Sequence, residues 1–319
     1  MKIAITGANG FVGSTLVKHF HHKGFEPVAF VRKSFQIAPI PVRIVDFTQS
    51  ESLANALEDI DVLIHNAGKT KALHKNEMLA ANVGLTHHVV SAVNLVKHPI
   101  RLIYISSQAA AGPSSITNPK KESDPLQPIS TYGKSKAIAE KIIQTQCHKP
   151  FNIVRPCSVY GPSDADFLPL FKLGAMGINL QIGRKKRYIN MIHISQLADF
   201  LLYLIGNTHV DKEIFFATDN QVYTQSEIAA TITEVSGKQM HKITIPSFSA
   251  KLAFSGIEQY GRITNKEVTL NLDKYREIKA EGWVASSQKA KQLLGWNPPP
   301  KLKELIEETY LWYRQNAWL

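Results

Sequence analysis

The sequence predicts an α/β fold, a doubly wound parallel sheet with helices on both faces. Two observations predict it. Strand-length apolar runs alternate with helix-length amphipathic segments through the first half of the chain. The first of those runs leads into three glycines, Gly7, Gly10 and Gly13, and then into a helical pattern.

Ile3 and Ile5 mark a buried strand over residues 2–6. The glycines follow at three-residue spacing, and Phe11, Val12, Leu16, Val17 and Phe20 give a helix over 11–23. Strand, glycine turn and helix form the arrangement that receives a dinucleotide pyrophosphate. Glycine lets the backbone approach the phosphates, and the helix N-terminus offers free N–H groups and a positive dipole end. Gly7, Asn9, Gly10, Phe11, Val12 and Gly13 are therefore candidate cofactor-binding residues.

The second strand, 27–31, ends at Arg32 and Lys33, with no Asp or Glu at its tip. An acid about 20 residues past the glycines binds the ribose 2′-hydroxyl of NAD. A guanidinium there suits a 2′-phosphate, so NADP(H) is expected as the preferred cofactor, with NAD(H) as the alternative. The competing reading makes Arg32 an ordinary exposed strand-end cation.

Further strands are predicted over 42–45, 61–65, 100–105 and 151–155, and helices over 51–58, 75–97 and 131–147. Residues 113–128 read as a polar loop rich in Pro and Ser. Tyr132 and Lys136, at i and i+4, share one face of the helix they open. A tyrosine ordinarily ionises near pH ~10, and a lysine ammonium beside it is expected to lower that value and make it a proton donor and acceptor. After residue 156 the pattern turns irregular, with helices near 195–206, 224–236, 286–294 and 302–316. Residues 1–160 and about 189–216 are expected to form the dinucleotide-binding domain, and about 161–188 and 217–319 a smaller α/β substrate-binding domain.

At 319 residues, 44% hydrophobic and 20% charged, the chain can bury a large core and carries no membrane-spanning run. The first strand begins at residue 2, so no cleaved leader is expected. Cys147 and Cys157 form no disulfide or zinc pattern, and a reducing cytoplasm is the expected setting. The twelve histidines build no metal-ligand cluster. The net charge of +11 comes from cations spread along the chain. The densest run, Arg184 to Arg187, reads as a solvated loop or as a contact to an anionic substrate group. A small-molecule substrate is expected, with neither nucleic acid nor membrane as partner.

The motifs together resemble the extended short-chain dehydrogenase/reductases, also called the NAD-dependent epimerase/dehydratase family. The residues that carry the resemblance are the glycine turn, Asn66-Ala67-Gly68, Ala81-Asn82-Val83-Gly84, Ser106-Ser107, Tyr132-Gly-Lys-Ser-Lys136, the run from Arg155 to Pro162, and the segment around His193. The resemblance implies a Rossmann-type fold. It implies Ser107 as the catalytic hydroxyl, with Ser106 as runner-up, beside Tyr132 and Lys136. Asn82 would complete the proton relay or orient the site, or else is an ordinary polar helix residue.

By the same resemblance Asp46 and Phe47 contact adenine, although Asp46 also suits a cap on the following helix. Asn66, Ala67, Gly68, Pro156, Ser158 and Val159 flank the cofactor, and Lys136 holds its ribose. Ser107, Gln108 and Phe167 are candidate substrate contacts, and a homodimer is expected. Gln108-Ala109 after the serine lacks the Asp-Glu pair of dehydratases. Ala111 stands where nucleotide-sugar epimerases usually carry tyrosine. The implied activity is hydride transfer between NADP(H) and a carbonyl or alcohol, closest to the 3β-hydroxysteroid dehydrogenase and dihydroflavonol reductase branch. A nucleotide-sugar epimerase is the alternative.

Overall fold

A computed structural model describes all 319 residues. The chain opens with β1 (Lys2–Thr6), α1 (Phe11–His22), β2 (Glu26–Val31), β3 (Val42–Ile44), α2 (Ser50–Ala56) and β4 (Val62–His65). Then come α3 (Lys75–Leu79), a π turn (Ala80–Gly84), α4 (Leu85–Leu95), β5 (Arg101–Ile105), α5 (Gln108–Ala111), α6 (Thr131–Gln146) and β6 (Phe151–Pro156). The remainder comprises β7 (Ser158–Tyr160), α7 (Leu168–Ala175), β8 (Ile178–Ile182), β9 (Tyr188–Ile189), β10 (Met191–His193), α8 (Ile194–Gly206) and β11 (Glu213–Ala217). It closes with β12 (Tyr223–Thr224), α9 (Gln225–Val235), β13 (His241–Ile245), α10 (Ser247–Thr264), α11 (Leu272–Lys279), β14 (Gly282–Trp283), α12 (Gln288–Leu294) and α13 (Leu302–Gln315).

Seven parallel strands form one sheet in the order β11-β6-β5-β4-β1-β2-β3. The strand order reverses beside β1, so β1 and β4 open their carboxyl ends into the crevice where such folds bind ligands. Alternation along β1 explains the two layers. Ile3 and Ile5 join Leu16, Phe20, Phe200 and Leu201 on one face, while Ala4 joins Leu53, Val89 and Ile143 on the other. Ala290, Leu294 and Trp296, far along the chain, pack into the first of these cores.

The expected single helix over 75–97 is instead α3, the π turn and α4. A π turn admits one extra residue per turn, and apolar periodicity does not register it. The structure adds the long helix α10, together with α7, α11 and the short strands after residue 156, to the elements the sequence predicts. The loop over 113–128 is pinned rather than free: Lys120 bridges to Ala285, and the Glu122 carboxylate accepts from the Phe216 N–H at 3.0 Å.

Candidate active site

The glycine turn is too tight for side chains. Gly7 has φ +69°, and a Cβ on it would lie 2.9 Å from the Ala67 Cα. A Cβ on Gly13 would lie 2.1 Å from the Gly7 carbonyl oxygen. Helix α1 begins after Gly10 with no side-chain cap and no acid in its first turn. Its first N–H groups therefore point, unpaired, at the space beside Gly7, Asn9 and Gly10. This cradle fits a dinucleotide pyrophosphate. Arg32 and Lys33 stand exposed at the tip of β2, in no ion pair.

Beneath the cradle runs a network that sequence reasoning missed. The Thr6 hydroxyl accepts from the Asn66 and Ala67 N–H groups at 3.1 and 3.0 Å and meets His65 Nδ1 at 3.0 Å. His65 Nε2 meets the Thr86 hydroxyl at 3.0 Å, and that hydroxyl donates to the Asn82 carbonyl at 2.6 Å. With its one proton so committed, Thr86 can only accept from His65, which places the imidazole proton on Nε2. Burial, then the Lys136 charge, pushes His65 down to about 3, so the ring is neutral. The signal that could have found this network was a histidine inside an apolar strand.

Asn82 sits in the π turn and is buried. Its Oδ1 accepts from the Lys69 N–H at 2.8 Å, while Nδ2 donates to the Lys69 carbonyl at 2.9 Å and to Ser135 Oγ at 2.8 Å. It thereby ties the segment after Gly68 to α6. A Cβ on Gly68 would be 2.6 Å from Asn82 Oδ1 and 3.7 Å from Lys136 Nζ.

The two serines after β5 have separate tasks. Ser106 donates to Glu140 at 2.5 Å, and Glu140 also takes Arg155 at 2.7 Å, all three groups being buried. Ser107 caps α5 by accepting from the Ala109 N–H at 3.1 Å, which leaves its O–H to donate elsewhere. Tyr132, in the first turn of α6, has Ser107 beside its phenol. Lys136 is buried one turn on; its Nζ donates to the Ile105 carbonyl at 2.8 Å and lies 4.7 Å above the Tyr104 ring.

The expected lowering of Tyr132 by Lys136 is not what this geometry gives. Burial pushes the Tyr132 phenol up to about 12, offset in part by Ser107, with Glu277 and Asp166 adding to the rise. The ammonium is turned toward Ile105 and does not offset the loss of hydration. Lys136 itself is pushed down to about 8 by the same burial, against the pull of Glu140.

Around this centre, the Gln108 side chain is buried and its Nε2 lacks a partner. Phe167 is half-buried, with its ring 6.0 Å from Tyr160. Pro156 ends β6, and Ser158 and Val159 lie in β7, paired with β10. Asp46 does not cap α2. Its carboxylate takes the Thr48 N–H and hydroxyl at 2.9 and 2.7 Å, and Gln49 stands at the helix start. Phe47 turns its ring into the core with Leu53. The run from Arg184 to Lys186 is exposed, while Arg187 donates to the Ile182 carbonyl at 2.7 Å. Both cysteines are free and buried, and no group of His, Cys, Asp or Glu is placed to hold a metal.

Comparison with known proteins agrees with this fold. The profile of the NAD dependent epimerase/dehydratase family matches residues 3–215. A ceramide reductase from Caulobacter vibrioides is 26% identical over 99% of this chain and 96% of its own. A UDP-glucose 4-epimerase from Vibrio cholerae is 26% identical over 96% of this chain and 94% of its own. Among solved structures, dTDP-glucose 4,6-dehydratase from Bacillus anthracis in complex with NAD superposes with a TM-score of 0.78 at 19% identity, covering 100% of this chain and 98% of that one.

Proposed function

The chain belongs to the NAD-dependent epimerase/dehydratase family, and within it we propose an NADP(H)-linked carbonyl reductase or alcohol dehydrogenase acting through Ser107, Tyr132 and Lys136. The observation that carries this reading is the meeting of Ser107 and Tyr132 beside the glycine cradle. The Ser107 hydroxyl, accepting from the Ala109 N–H, keeps its O–H beside the phenol, and the phenol holds its proton at neutral pH.

In the reductive direction the Ser107 hydroxyl donates a hydrogen bond to the substrate oxygen. Tyr132 gives that oxygen its proton as negative charge develops there. Lys136, charged below about pH 8, favours the phenolate left behind and holds the ribose hydroxyls of the cofactor. Asn82 fixes the segment after Gly68 against α6, and Gln108 offers its unpaired Nε2 to the substrate. Gly7, Gly10, Gly13 and the first amides of α1 hold the pyrophosphate, and Arg32 holds the 2′-phosphate. A nicotinamide dinucleotide bound there supplies the hydride, or takes it in the reverse reaction.

The ceramide reductase likeness supports this reading, and the equal likeness to an epimerase favours a second one, in which the same residues epimerise a nucleotide sugar. Purification followed by assay separates them. Net consumption of NADPH with ketones or aldehydes supports the reductase. NAD(H) that survives purification, with no net consumption, supports the epimerase.

A further inference from the structure

Helix α10 is apolar on two faces, and only one of them is packed. Ala250 and Phe254 turn inward to join Tyr275 in a small core. On the other side Phe248, Leu252 and Ile263 are 71%, 58% and 84% exposed. At about 100° per residue these three fall on one line along the helix, with Gly256 and Gln259 completing it. Exposed large apolar residues ordinarily occur singly, whereas here three share a stripe.

The charge around the stripe that is not already paired is basic. Lys251 and Arg262 run along its edge, by the same helical geometry. Lys238 and Lys242 precede the helix and Lys266 follows it, and none of these three forms an ion pair. The nearby acids are already occupied: Glu258 holds Arg262 at 2.6 Å and Glu267 holds Lys69 at 2.9 Å.

We propose that α10 docks this protein on the surface of an anionic lipid bilayer. Phe248, Leu252 and Ile263 enter the boundary between headgroups and acyl chains, and Lys251, Lys242 and their basic neighbours meet the lipid phosphates. No helix is long and apolar enough to cross a membrane, so the attachment is to the surface. A second copy of the chain on the same stripe would set two basic rims against each other. On the side of α10 away from the stripe, Gly261 and Val268 line a small cleft with Ala72 and Leu73.

Co-sedimentation with vesicles tests the proposal. The full chain should bind vesicles of equal phosphatidylglycerol and phosphatidylcholine at least about tenfold more tightly than phosphatidylcholine alone, and salt should weaken the binding. The F248S/L252S/I263S variant should lose about tenfold in binding, with melting temperature and sedimenting mass unchanged. The K242E/K251E variant should lose the preference for anionic vesicles. Absence of binding to the anionic vesicles would overturn the proposal, as would a serine variant that binds like the wild type. So would a wild-type dimer that the serine variant converts to monomer.

Discussion

The Ser106 hydroxyl donates to the Glu140 carboxylate at 2.5 Å, so of the two adjacent serines only Ser107 keeps its O–H for the crevice. The two therefore respond differently to removal. Ser107→Ala should lower turnover by about 10²–10³-fold with little change in melting temperature. Ser106→Ala should instead cost about 1–3 kcal/mol of stability, because it takes a donor from a buried carboxylate. Steady-state rates and thermal melts of both variants check this; a larger loss of turnover in Ser106→Ala would reverse the assignment.

Glu140 joins Ser106 to Arg155 in the interior, with the ion pair closed at 2.7 Å. Glu140→Ala strands the Arg155 guanidinium, whose Nη1 already lacks a partner. The expected cost is about 3–5 kcal/mol in denaturant unfolding. A loss near zero would show that water reaches Arg155 and that the pair is not sealed.

Much of the fold could be read from the sequence because parallel strands buried on two faces are continuous apolar runs, as in Val62-Leu63-Ile64 and Leu102-Ile103-Tyr104-Ile105. Helix α10 could not. Its apolar residues point both inward, as Phe254 does, and outward, as Phe248 and Ile263 do, so no single face repeats. The glycine cradle was legible because its glycines have a steric cause. The bond that occupies Ser106 was not, since Glu140 reaches it only once α6 is folded against the end of β5. The raised proton affinity of Tyr132 was hidden for the same reason. Spacing puts Lys136 one turn away but does not reveal that its ammonium is turned to Ile105.

Arg32 makes no ion pair and stands exposed at the tip of β2. If it holds a 2′-phosphate, Arg32→Ser should weaken NADPH binding by about 10–100-fold and leave NADH nearly unchanged. Cofactor fluorescence titrations with both dinucleotides measure this, and an equal effect on the two would remove the case for NADP(H).

His65 sits neutral between two threonines, held at about 3 against an ordinary 6.5. The unfolded chain takes up its proton below pH 6.5 and the folded chain does not. The stabilising effect is therefore complete above that pH and is lost as pH falls toward 3, by at most about 1.4 kcal/mol per pH unit. His65→Asn should flatten this part of the stability profile measured by denaturant unfolding; a slope unchanged from wild type would assign it to other groups.

Tyr132 holds its proton to about 12 beside the Ser107 hydroxyl, and the proposed reaction depends on the transfer of that proton. The direct measurement is turnover of Tyr132→Phe with NADPH on a carbonyl substrate that the wild type reduces, alongside its NADPH affinity. Turnover should fall by about 10²–10⁴-fold with affinity kept within about threefold. Turnover equal to wild type would contradict it.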